Sequence, residues 1–213
     1  MKITYVLTDD IDRPEDELNE ILPLLPPYRR EKVMRCRFLR DRLLSLCAGM
    51  LALGSHGGEI ALQDGGKPYF IDQGIRFSLT HSDRCAAIAV SRYELGLDVE
   101  PLTRGYHDSM LRSFHHNEAA YIDRAVDRDR AFVEIWTRKE AYVKYLGTGL
   151  SEGLSSFDTT SAPLSASLFT FERDGYLFSA FCPQDREWEI RKISFRELKE
   201  WILRRNAAPD PAF

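Results

Sequence analysis

Glu140 and Lys144 stand one helical turn apart in the stretch 136–150, WTRKEAYVKYLGTGL. Phe132, Ile135, Trp136, Val143 and Leu146 recur at helical spacing and mark one apolar stripe. At roughly 100° per residue, Glu140 and Lys144 fall together at one edge of that stripe. Lys139 falls inside it, where a charge costs free energy unless it snorkels or meets an anion. Gly147 and Gly149 end the helix, as glycine often does just past a C-terminus. A Glu–Lys pair alone is commonly just a support for an amphipathic core helix. A second acidic pair upstream gives it a chemical alternative.

That pair lies in Gly96-Leu97-Asp98-Val99-Glu100-Pro101. Alternate side chains of a strand share a face, so Asp98 and Glu100 point together while Leu97 and Val99 enter the core. Two carboxylates about 7 Å apart on one face repel unless something cationic lies near them. A hard divalent cation is the natural partner, and the plainer reading is the solvated face of a half-exposed sheet.

The elements around these residues come from composition and pattern. The chain has 213 residues, 44% hydrophobic and 29% charged, enough to bury a core and too apolar for disorder. A net charge of −4 excludes a general nucleic-acid footprint, so any basic function must be local. Cys36, Cys47, Cys85 and Cys182 form no C-x-x-C pair, which argues for a reducing compartment over a zinc site or disulfide framework. The start, MKITYVLTDD, alternates and turns acidic, unlike a signal peptide. The longest apolar run, Leu43–Leu53, is too short for a bilayer. These features predict a cytoplasmic protein.

In chain order, Lys2–Thr8 alternates as a strand and Asp9–Pro27 holds a short helix within loops. Residues 28–53 read as one long helix. Its first part is basic (Arg29, Arg30, Lys32, Arg35, Arg37, Arg40, Arg42), and it is either a solvated face or a receiver of phosphate. After Gly57-Gly58 and the turn at 64–68, short strands follow at 69–71, 75–80, 85–91 and 95–100, the last three as an antiparallel meander. Helices follow at 109–114, 118–126 and 131–146. His115 and His116 break and recap the chain there, and adjacent histidines in such a place are more often solvated than ligands. Strands are expected at 155–160, 166–171, 176–182 and 189–193. Ser194 and Glu197 form a capping box that opens a last helix, 195–204, before a loose tail. Helix-then-strands occurs twice. The expected fold is α+β, with two pseudo-symmetric halves, 1–104 and 105–213, each with helices on a small antiparallel sheet, and a site at their seam.

Four motifs in this order resemble the Sfp-type 4′-phosphopantetheinyl transferases. Gly66-Lys67-Pro68 matches G-K-P. Phe77-Ser78-Leu79-Thr80-His81-Ser82 looks like F-[NS]-[IL]-[ST]-H-S. Residues 96–100 look like G-[IVL]-D-[IVL]-E, and 136–144 like [WF]-x-x-K-E-[AS]-x-x-K. The last two are specific as a pair; G-K-P alone is not. The resemblance runs from about Pro26 to Ser156. It departs at Leu44, where the family commonly has an arginine that Arg40 or Arg42 would replace, and at Asp83, where a small residue is usual.

The resemblance implies Mg²⁺-dependent transfer of phosphopantetheine from coenzyme A to a serine of an apo acyl or peptidyl carrier protein. It implies Mg²⁺ held by Asp98, Glu100 and Glu140, with Glu140 as general base and Lys144 on the pyrophosphate. Arg29, Lys32, Lys67, Thr80 and His81, with Asp98 and Lys144, would bind coenzyme A. No nucleic acid or membrane partner is implied, and with both halves in one chain a monomer is the default. Two other classes compete: a Mg²⁺-dependent nucleotide pyrophosphohydrolase using the same carboxylates, and a non-catalytic carrier-docking module.

Overall fold

The computed structural model describes residues 1–56, 59–63, 66–71, 74–105, 108–149 and 153–207. Its strands are β1 (Lys2–Leu7), β2 (Ile60–Leu62), β3 (Pro68–Phe70), β4 (Arg76–Ser82), β5 (Cys85–Ser91), β6 (Gly96–Pro101), β7 (Leu168–Arg173), β8 (Tyr176–Phe181) and β9 (Glu189–Lys192). Its helices are α1 (Pro14–Ile21), α2 (Pro27–Arg35), α3 (Leu39–His56), α4 (Asp108–Leu111), α5 (His116–Arg124), α6 (Arg128–Leu146), α7 (Ala162–Ser165) and α8 (Phe195–Ala207). The α+β expectation holds. A four-stranded sheet has the order β4-β5-β1-β9, a three-stranded sheet the order β6-β8-β7, and β2 pairs with β3.

Strand alternation builds the layers. In β5, Ala86 and Ile88 join the core under α3, while Cys85, Ala87 and Ala89 face the other sheet. Leu97, Val99, Phe178 and Ala180 meet them from β6 and β8. The far side of the three-stranded sheet is covered by α6, whose Phe132 and Ile135 share a cluster with Leu177. The order is therefore helices, sheet, sheet, helices. Asp98 and Glu100, alternating with Leu97 and Val99, are turned toward α6.

The expected meander is corrected. β4 and β5 pair, but β5 gives its second edge to β1, so no edge is left for β6. β6 pairs with β8 instead. Side chains bridge β4 to β6: Ser78 Oγ accepts from Leu97 N–H at 3.0 Å, and Thr80 Oγ1 donates to Asp98 Oδ1 at 2.9 Å. The sheets are not divided at residue 104. β6 joins strands from the C-terminal part, and β9 returns to run parallel to β1 while α8 packs on α3.

The single helix expected over 28–53 is two. Cys36 takes an extended conformation (φ −69°, ψ 132°), and the Arg42 side chain donates to its carbonyl at 2.9 Å. Periodicity cannot register a break without glycine or proline. The strand expected at 155–160 does not form: residues 154–156 make a 3₁₀ turn, and 157–160 continue as loop and turn. The capping predictions hold: His115 caps α5 in a reciprocal pair with Glu118, and Ser194 pairs with Glu197 ahead of α8. Gly57-Gly58, residues 64–65 of the 64–68 turn and the end of the tail lie outside the described residues.

Candidate active site

The site forms where α6 lies across β6. Asp127 caps the N-terminus of α6, and Gly147 closes its C-terminus with φ 72°, a left-handed conformation glycine adopts without strain. Contact between helix and strand is made at Gly96, where an added Cβ would stand 1.8 Å from the Ala141 carbonyl oxygen. The first glycine of the G-x-D-x-E motif is thus a packing requirement. A hydrogen there lets the helix backbone rest on the strand.

Lys139 meets the anion its position demands. Its ammonium is 2.6 Å from Glu118 Oε2, both side chains are 0% exposed, and it also donates to the Leu154 and Phe157 carbonyls. It faces away from the site and ties α6 to α5 and the loop after it. Burial pushes its pKa down and Glu118 opposes that shift.

On the other edge of α6, Lys144 Nζ donates to Asp98 Oδ1 at 2.6 Å and to Thr80 Oγ1 at 3.1 Å. Asp98 and Glu100 are both buried, which removes the solvated-face reading. Ser82 Oγ donates to Glu100 Oε2, and both Arg104 and Trp136 Nε1 donate to Glu100 Oε1. Burial raises the Asp98 pKa, with Lys144 pulling it back. Burial first, then the charges of Asp98 and Glu100, push Glu140 up, while Lys144 and Arg104 oppose them. Like charges close enough to shift one another are the mark of a shared site.

A cavity of about 410 Å³ opens beside this cluster, lined by Arg29, Lys32, Lys67, Thr80, His81, Asp98 and Lys144 among others. All seven residues expected to bind the cofactor line it. Arg29 reaches it from α2, anchored by a 2.7 Å bond to the Ser45 carbonyl. Neither Arg40 nor Arg42 lines it: Arg40 pairs with Asp41 and Arg42 holds the end of α2. Leu44 is buried in the core. Asp83 occupies the β4–β5 turn with φ 53° and accepts from Tyr176, which gives the departure after His-Ser a local structural reason.

Lys67 stands apart from the other cations. Its three protons go to Glu94 at 2.9 Å, Tyr145 O at 3.1 Å and Leu95 O at 3.2 Å. Only its stem is left for the cavity. The ammonium ties the last turn of α6 to the start of β6.

Among the described residues, three buried side-chain polar atoms lack a partner: Arg29 Nε, Ser45 Oγ and Asp98 Oδ2. Two of the three residues line the cavity, one cationic and one anionic. Buried groups of this kind cost free energy unless something binds them. No set of three acidic, histidine or cysteine side chains is gathered as a ready metal cage among the described residues. Asp98 Oδ2 and Glu140 nevertheless suit a cation, whereas both oxygens of Glu100 are already taken. Sequence reasoning missed Ser82, Arg104 and the indole of Trp136 as partners of Glu100. Alternation with Thr80 could have found Ser82; nothing in the pattern marks Arg104.

A family model described as the 4'-phosphopantetheinyl transferase superfamily matches residues 94–201. The 4'-phosphopantetheinyl transferase gsp of Aneurinibacillus migulanus is 33% identical over 94 residues, 43% of this chain and 39% of that protein. A 4'-phosphopantetheinyl transferase of Bacillus subtilis is 29% identical over 164 residues, 69% of this chain and 72% of that protein. The L-aminoadipate-semialdehyde dehydrogenase-phosphopantetheinyl transferase of Candida glabrata is 27% identical over 207 residues, 85% of this chain and 80% of that protein.

Proposed function

Because the chain belongs to the 4'-phosphopantetheinyl transferase superfamily, a family of enzymes, we propose that it moves phosphopantetheine from coenzyme A to a serine hydroxyl of an apo carrier protein. The observation that carries this reading is the pairing of opposite demands at one cavity. Arg29, Lys32, His81 and Lys144 invite anions, while Asp98 Oδ2 and Glu140 invite a cation. A magnesium diphosphate answers both, and coenzyme A carries a diphosphate and a further phosphate.

Asp98 and Glu140 would hold Mg²⁺, with Glu100 beside them once Arg104 releases it. When bound, the ion supplies Lewis-acid polarisation of the phosphoryl centre and screening of the leaving group. The chain's own groups do the rest. Lys144 neutralises diphosphate charge. Glu140, which no described hydrogen bond occupies, takes the proton of the attacking serine hydroxyl. The serine oxygen bonds to the phosphorus next to pantetheine, and the bond from that phosphorus to the adenosine bisphosphate breaks. Arg29, Lys32 and His81 take the ribose phosphate and the adenine side, and Lys67 shapes that wall from behind. The protein works as a monomer in the cytoplasm; among the described residues no helix is long and apolar enough to cross a membrane.

One assay tests the reading. The protein is mixed with coenzyme A, Mg²⁺ and an apo carrier protein, and the carrier is weighed by mass spectrometry. Gain of one phosphopantetheine is the expected result. Loss of coenzyme A without that gain means hydrolysis, and no change means a docking module.

A further inference from the structure

The acidic cluster is already served by two cations of the chain. Lys144 sits on Asp98, as its motif position allows. Arg104 sits on Glu100 and belongs to no motif. It ends the short turn Leu102–Arg104 that follows β6. Its guanidinium lies 4.5 Å from the centroid of the Trp136 ring while it donates to Glu100 Oε1. Trp136 Nε1 reaches the same oxygen at 3.2 Å, so one indole supplies both a face for the cation and a donor for its anion. The Arg104 side chain is 29% exposed against 10% for Glu100. It can therefore swing into solvent without opening the core, whereas Glu100 must stay.

Asp98, Glu100 and Glu140 bring three negative charges; Lys144 and Arg104 return two positive ones. A divalent cation carries the same two charges and needs the oxygens these side chains hold. We propose that Arg104 is a tethered counter-cation that occupies Glu100 in the ligand-free protein and competes with a divalent cation for it. Metal uptake is then opposed by the chain itself. The cost is relieved when an anionic ligand enters and gives the released guanidinium and Lys144 a new partner. Arg104 is in this sense a positioning residue that sets when Glu100 becomes available. The inference rests on reading Asp98, Glu100 and Glu140 as the cation site, and it does not depend on the transfer step.

The test uses Mn²⁺ as the probe, titrated into the full chain without coenzyme A or carrier protein and followed by electron paramagnetic resonance of the free ion. Arg104→Gln should bind Mn²⁺ about twofold to fivefold more tightly than the unaltered protein, the range a partly exposed ion pair supports. Arg104→Lys, which keeps the charge and loses the planar fork, should fall between the two. In a Glu100→Gln background the Arg104→Gln gain should vanish. Unchanged or weakened Mn²⁺ affinity in a folded Arg104→Gln protein overturns the inference, as does the full gain persisting without the Glu100 carboxylate. If Arg104→Gln fails to fold, the Arg104→Lys comparison decides alone, and affinity equal to the unaltered protein overturns the proposal. The transfer assay is separate, so transfer with an unmoved Mn²⁺ affinity sinks this inference and leaves the functional reading standing.

Discussion

The Lys144 ammonium rests 2.6 Å from Asp98 Oδ1 across 46 residues of sequence. One group belongs to α6 and the other to β6, and neither helix nor strand fixes that distance by itself. The meeting depends on the close seating at Gly96, on the Lys67 tie between the two backbones, and on Thr80 holding the third corner. The electrostatic centre of the site is therefore a product of packing.

Gly96→Ala should break that seating. A methyl 1.8 Å from the Ala141 carbonyl cannot be accommodated by a side-chain rotation, so strand and helix must part. The expected loss is about 3 kcal/mol or more, read as a lower urea midpoint. Calorimetry should show weaker coenzyme A binding in whatever folds. A variant of near-normal stability would mean that the helix seats elsewhere.

Glu140→Gln should lower transfer by about a hundredfold or more, as loss of a general base does. It should not cost stability. Burial and the neighbouring carboxylates raise the folded pKa of Glu140, so its charged form is disfavoured in the fold. A raised carboxyl favours the fold most at pH below its unfolded value, and that benefit is lost as pH rises through the folded one. At neutral pH the amide thus removes a cost, and the Tm should hold or rise. Near-normal turnover would take Glu140 out of the mechanism.

Much of this site was legible because its signals are local. Helical spacing placed Glu140 and Lys144 on one edge, and strand alternation turned Asp98 and Glu100 together. The buried Lys139 announced its need for an anion, though not that Glu118 would supply it. Strand partnership was not legible. Whether β6 lies beside β5 or β8 depends on which strand takes the second edge of β5, and β1, whose Lys2 stands opposite Val90 88 residues along the chain, reaches that edge only through the fold. The identity of Lys67 as a structural tie was hidden for the same reason; the Arg104–Glu100 pair is only four residues apart, but it closes across the end of β6 and the short turn after it, a shape that no periodicity encodes.

Lys67→Met should act on stability before it acts on binding. It removes the donor from Tyr145 O and Leu95 O and leaves Glu94 to Arg76 alone. Each orphaned acceptor costs about 1 kcal/mol or more, so the denaturant midpoint should fall clearly. A direct phosphate contact would instead weaken coenzyme A binding at unchanged stability, and calorimetry on the same sample separates the two outcomes.

Lys139→Met should destabilise by about 3–5 kcal/mol, because it strands the Glu118 carboxylate with no exposure to water. Adding Glu118→Gln should return part of that loss. The coupling comes from a double-mutant cycle in urea. Additive effects would show that the pair is not coupled, and that Lys139 acts through the Leu154 and Phe157 carbonyls alone.

His81 offers a pH test of the cavity. Although His81 is exposed at the cavity mouth, partial desolvation by the surrounding walls, then Lys32, Lys144 and Arg29, hold its imidazole below the ordinary value of about 6.5, so at neutral pH it is largely uncharged. Its contribution to stability is fully present above the ordinary value. It is lost as pH falls from there through the lowered folded value, since the unfolded chain binds the proton first. A phosphate placed among the same cations reverses the balance, because an anion favours imidazolium. Coenzyme A binding should then take up a proton and tighten as pH falls from about 7.5 to 6, by at most one proton per site. Calorimetry in two buffers of different ionisation enthalpy reads that uptake directly. His81→Ala should flatten the slope, and an equal slope in the variant would assign the proton to another group and move the phosphate away from His81.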